Sequence, residues 1–137
     1  MKIEGGCHCG AVRYEIASEP GFSFFCQCRD CQRFSGSGHM ANIVFPAEAM
    51  SLTGETATYR YTGGSGDPVL NIFCADCGAP ICGHPEGASI RVVRASSLDN
   101  PGLFKPSKVV YSDSAQPWDP LDALAPQFAE SEAGAGP

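Results

Sequence analysis

The chain has 137 residues, enough for one domain with a modest core, and its 16 glycines and 11 prolines favour turns and short strands over long helices. A formal charge of −6 repels phosphate backbones and argues against a nucleic-acid binder. No stretch of about 18 apolar residues marks a membrane helix, and residues 1–6 (MKIEGG) lack the apolar segment of a secretion signal, so the cytoplasm is the expected compartment.

In chain order, residues 10–17 (GAVRYEIA) alternate apolar and polar, with Val12, Tyr14 and Ile16 on one face of an expected strand. Residues 29–34 have the composition of a single helical turn, stopped by Ser35-Gly36-Ser37-Gly38. Strands are expected at residues 40–45 (MANIVF), 57–61 (ATYRY), 69–73 and 89–93 (SIRVV), the second closed by a glycine-rich turn. Residues 116–120 (QPWDP) carry the one Trp and precede Leu121, Leu124 and Phe128, which pack as a short helix or wrap. Residues 1–128 therefore read as one all-β domain with little helix, and residues 129–137 (AESEAGAGP) as a disordered tail.

Seven of the eight cysteines fall into three clusters: Cys7-x-Cys9, Cys26-x-Cys28-x-x-Cys31 and Cys74-x-x-Cys77. In a reducing compartment such spacings are metal-ligand spacings, and a Cys-x-Cys loop strains a disulfide. Cys7, Cys9, Cys74 and Cys77 form a four-thiolate set, each pair followed by a glycine, Gly10 or Gly78, that lets backbone N–H groups turn toward the sulfurs. Four ligands saturate a zinc and make its site structural. Cys26, Cys28 and Cys31 form a three-thiolate set with an open fourth position for water, a substrate thiolate, His8 or His39, and with Cys82 or His39 as the closing ligand if this site too is structural. With both sites filled the net charge falls to roughly −9.

Around the open set, Arg29 and Arg33 are candidate substrate clamps, and His39 is a candidate ligand or proton shuttle. Cys82, in an apolar context, reads as buried and inert, and His84 as a loop residue.

These residues resemble the glutathione-dependent formaldehyde-activating enzyme family, which includes centromere protein V. The likeness rests on Gly6-Cys7-His8-Cys9-Gly10, Cys26-Gln27-Cys28-Arg29-Asp30-Cys31 with Ser35-Gly36-Ser37, Phe73-Cys74-Ala75-Asp76-Cys77-Gly78, Ser97-Leu98-Asp99-Asn100-Pro101 and Pro117-Trp118. The resemblance implies a zinc-stabilised β-tent of short antiparallel sheets, with two zinc ions per chain. One would be structural on Cys7, Cys9, Cys74 and Cys77, and one catalytic and labile on Cys26, Cys28 and Cys31. It further implies a carbon–sulfur lyase that joins formaldehyde to glutathione. Gln27 stands where many members have His, which removes a proton-transfer group. An anionic tripeptide on an acidic protein also needs a local cation, for which Arg29, Arg33 and Arg94 are candidates. The competing expectations are a non-catalytic zinc module for a protein partner and a thiol-based redox or zinc-storage protein.

Overall fold

The computed structural model describes residues 1–130. The strands are β1 (Ile3–Gly6), β2 (Arg13–Ile16), β3 (Ser23–Cys26), β4 (Met40–Pro46), β5 (Met50–Thr53), β6 (Thr56–Thr62), β7 (Pro68–Cys74), β8 (Pro80–Pro85), β9 (Ile90–Arg94) and β10 (Lys108–Val110). One α-helix, α1 (Arg29–Ser35), follows β3. A three-stranded sheet runs β1-β2-β5, and a seven-stranded sheet runs β10-β3-β4-β9-β8-β7-β6. Every pairing is antiparallel except β10 with β3. No helix among the described residues is long and apolar enough to cross a membrane.

Val12, Tyr14 and Ile16 are all buried, as the alternation predicts, and they meet Ile43, Phe45, Ile81, Cys82 and Val93 of the larger sheet in one core. Alternation along β4 and β9 puts Asn42 and Arg94 on the opposite face of the larger sheet from Ile43 and Val93. Phe34 of α1 packs beside Tyr61 of β6 at 5.1 Å between ring centres. Gly36 ends α1 in the left-handed conformation, as its sequence position predicts.

Residues 97–99 latch the small sheet to the large one. Ser97 Oγ donates to the Arg94 carbonyl at 2.7 Å, so the buried Tyr14 hydroxyl donates to Ser97 Oγ at 2.6 Å. Asp99 accepts a forked hydrogen bond from Arg13, and its N–H bonds the Glu4 carbonyl.

Differences from the sequence reading are local. β1, β3, β5, β8 and β10 are too short or too irregular in polarity to show a period, and their partners rather than their own patterns define them. Residues 121–128 wrap and do not form a helix: residues 122–124 make a turn and Gln127 bridges Val109 of β10 in parallel, with Leu121 buried but Leu124 exposed. His84 is a buried residue of β8, its Nδ1 near the Pro85 carbonyl, and not a loop residue. Of the expected tail, residues 131–137 lie outside the described residues.

Tyr14→Phe removes one hydrogen bond from the latch without opening a cavity, so it is expected to destabilise the zinc-loaded protein by about 1 kcal/mol. Urea unfolding of both proteins measures this, and equal midpoints would remove the latch from the account.

Candidate metal centres

The sulfurs of Cys7, Cys9, Cys74 and Cys77 all lie within 4.8 Å of one another. Cys7 and Cys9 occupy the turn between β1 and β2, Cys74 ends β7 and Cys77 lies in the turn between β7 and β8, so this cluster joins the two sheets. Gly10 and Gly78 take φ values of 85° and 77°, which L side chains adopt only with strain. The turns aim the Val12 N–H at Cys7 Sγ (3.2 Å), and those of Asp76 and Cys77 at Cys74 Sγ (3.3 and 3.4 Å). Tetrahedral zinc with sulfur at about 2.3 Å requires sulfur pairs about 3.8 Å apart. The Cys7–Cys9 and Cys9–Cys74 pairs are 3.6 and 3.8 Å apart, so the donor set fits that ion.

The second cluster is Cys26, Cys28 and Cys31, again with sulfurs within 4.8 Å of one another. Cys26 ends β3 and is buried, while Cys28 caps the N-terminus of α1, its sulfur accepting the Cys31 N–H at 3.3 Å. The helical turn thus brings Cys28 and Cys31 toward the sulfur at the strand end. Among the described residues neither His39 nor Cys82 belongs to this sulfur group. Cys82 lies in the core, its thiol pushed up by burial.

Thiol chemistry in both clusters calls for a cation. Hydrogen bonds from the Cys26 and Cys31 sulfurs hold Cys28 down at about 3. Cys26 is pushed up to about 12, first by Cys28, and Cys31 is raised well above the usual thiol value by Cys26 and then Cys28. In the four-sulfur cluster, amide contacts from Ala79 and Cys9 lower Cys77 to about 6. The Ala11 N–H favours the Cys9 thiolate, yet the neighbouring Cys7 sulfur carries that thiol up to about 12. Negative charge so concentrated is shared with protons unless a metal replaces them.

His39 follows α1, just beyond its glycine stop. Ser35 and Ser37 hydroxyls both donate to the His39 carbonyl at 2.7 Å, fixing its backbone. Its Nδ1 lies 2.9 and 3.0 Å from the two Asp119 carboxylate oxygens, and its ring meets Phe25 edge-on. Gly38 admits this contact, because a Cβ there would fall 2.5 Å from the Asp119 carboxylate. Gln27, buried where a His was expected, donates to the Asp119 carbonyl and carboxylate at 3.1 and 3.3 Å, leaving its own Oε1 unpartnered. Asp119 is a contact the sequence reading missed, although the Pro117-Trp118 motif adjoining it was a signal. Trp118 itself is exposed.

The arginine candidates separate. Arg29 is exposed and turned onto the Gln32 side-chain carbonyl, and Arg33 is exposed with no ion pair among the described residues. Arg94 is buried. His8 is exposed. Two phenols feel the charge of the triad: burial, then the Cys31 sulfur, pushes Tyr61 up to about 12, and Tyr111 is raised by burial and then by Cys26.

With Cys28 a thiolate and Cys26 and Cys31 thiols across neutral pH, loading the triad displaces about two protons, and affinity rises roughly a hundredfold per pH unit. Zinc titration of protein with the four-sulfur site already filled, read with a pH indicator, measures the number; release of none or three would contradict this charge distribution.

A family model described as glutathione-dependent formaldehyde-activating enzyme matches residues 2–114. A Halomonas elongata protein, provisionally named a glutathione-dependent formaldehyde-activating enzyme, is 33% identical over 86 residues, covering 59% of this chain and 55% of that one. The chain thus aligns with about half the length of that curated relative. A Rhodobacter sphaeroides protein of known crystal structure superposes with a TM-score of 0.55 at 19% identity, covering 91% of this chain and 98% of that one, which is a likeness of fold. On the extent of the family match, spanning both cysteine pairs and the cysteine triplet, the chain belongs to the glutathione-dependent formaldehyde-activating enzyme family.

Proposed function

We propose that the chain is a zinc-dependent carbon–sulfur lyase that joins a small thiol, glutathione or a relative, to formaldehyde or a related aldehyde. The observation that carries this reading is the unequal gathering of sulfurs, four across the sheets and three at the start of α1. The first set would hold a structural zinc and the second a reactive one. Zinc on Cys26, Cys28 and Cys31 would supply a Lewis-acidic position that favours a thiolate near neutral pH.

The reaction is an addition. The substrate sulfur forms a bond to the carbonyl carbon, the C=O π pair moves to oxygen, and that oxygen takes up the proton the thiol has lost, so no oxidant or reductant is consumed. Asp119 accepts the Nδ1–H of His39 and fixes the tautomer, leaving Nε2 to take the thiol proton and return it to the alkoxide oxygen. Tyr61 and Tyr111, both protonated at neutral pH, stand within electrostatic reach of the sulfurs. One observation favours the competing reading of a non-catalytic zinc module: Gln27 is an amide and carries no proton to the site. A glutathione-induced change at the zinc X-ray absorption edge supports the lyase reading, and its absence supports the module.

Cys28→Ser is expected to leave a folded chain with about one zinc and no activity above the uncatalysed reaction, whereas Cys74→Ser unfolds the protein. Circular dichroism, zinc analysis and exchange NMR between formaldehyde and glutathione provide the readouts. If both variants unfold alike, the division between the two sites is wrong. His39→Asn should retain both zinc ions and lower turnover about a hundredfold; unchanged turnover would remove His39 from the proton path.

A further inference from the structure

Arg94 is 5% exposed, and no carboxylate among the described residues pairs with it. Its Nη1 donates to Asn42 Oδ1 at 3.0 Å and its Nη2 to Asn71 Oδ1 at 3.1 Å, both neutral amides, while the buried Nε has no partner. An arginine keeps its charge when buried, and a buried charge without a counter-ion is costly. The surroundings are shaped for this group. A Cβ at Gly83 would lie 2.5 Å from Arg94 Nη2, so glycine at that position is what lets the guanidinium lie across β8. Arg94 lines a cavity of about 200 Å³ together with Ser35, Ser37, His39, Pro80 and Ser96.

We propose that this cavity is a carboxylate-binding subsite for the thiol substrate, with the Arg94 guanidinium as its anion anchor. The assignment rests on the lyase reading for the identity of the ligand and deepens it by naming the group that would hold the substrate's carboxylate. Spacing along the helix supports the placement. Cys31 and Ser35 lie four residues apart on α1, a rise of about 6 Å. Two extended peptide residues span about 7 Å, so a thiol at the triad and a carboxylate one residue further along a peptide reach both ends of that helical turn. Tyr61 ties the two places together, since its phenol lies within electrostatic reach of both Cys31 and Arg94. The exposed Arg29 and Arg33, by contrast, meet a carboxylate only in solvent, where a charge pair contributes little.

The test uses the full zinc-loaded chain and S-methylglutathione, whose blocked sulfur cannot become a thiolate and which therefore reports the carboxylate contacts. Calorimetry should detect binding, at least tenfold weaker for the diethyl ester of the same probe and at least tenfold weaker for Arg94→Gln, with no further loss when the two changes are combined. If Arg94→Gln does not fold, the acid-against-ester comparison on the unmodified protein still decides, together with NMR of the Arg94 Nε–H signal, which should shift on adding the acid and stay in place with the ester. Equal affinity for acid and ester, or a loss produced by Arg33→Gln instead of Arg94→Gln, would overturn the assignment and leave Arg94 as a counter-charge for the thiolates. Glutathione binding no tighter than S-methylglutathione would count against sulfur ligation, and hence against the lyase reading, while leaving the Arg94 subsite standing.

Discussion

Everything in this fold depends on negative sulfur being gathered where protein alone cannot tolerate it. Four cysteines from two hairpin turns, one on each sheet, converge to within 4.8 Å. Backbone N–H groups, those of Val12, Asp76 and Cys77 among them, soften that charge, but a thiol as high as about 12 at Cys9 marks the shortfall. A divalent cation on these sulfurs would supply what amides cannot, and its binding free energy would become folding free energy. The small sheet adds its own attachments, a packed Val12, Tyr14 and Ile16 face and the residues 97–99 latch, so the sulfurs hold together surfaces already matched in shape and polarity.

The three-sulfur cluster obeys a different logic. Its ligands come from a strand end and the first turn of one short helix, so they are near in sequence and ask little of the global fold. Its surroundings are long-range: Asp119 reaches both His39 and Gln27, and β10 lies parallel to the strand that ends in Cys26. Asp119 and β10 thus come from a part of the chain remote from Cys26, Cys28 and Cys31, whereas His39 and Gln27 are sequence neighbours of those cysteines. In the proposed reaction Gln27 replaces a histidine without disturbing the sulfurs, because the amide keeps a contact to Asp119.

The cysteine groupings were legible because ligand spacing is a local property, and Met40–Pro46 and Arg29–Ser35 because polarity period and a glycine stop are local too. Asp119 was not legible. A carboxylate 80 positions from its histidine leaves no periodic trace, and only the glycine at position 38, too small to obstruct it, marks the contact in sequence. Arg94 was named beside Arg29 and Arg33 as a candidate cation, but nothing in SIRVVR separates a solvated arginine from one laid between two asparagines. His84 misled for the opposite reason: a following proline suggests a loop, yet Pro85 closes an edge of β8 without breaking it.

The parallel pairing of β10 with β3 carries a consequence for biosynthesis. The four-sulfur set is complete once Cys77 has left the ribosome, whereas the phenol of Tyr111 and the histidine partner Asp119 follow much later. A nascent chain therefore presents the helix-turn thiols first, completes the sheet-joining sulfurs only at Cys77, and brings Asp119 to the helix turn last of all.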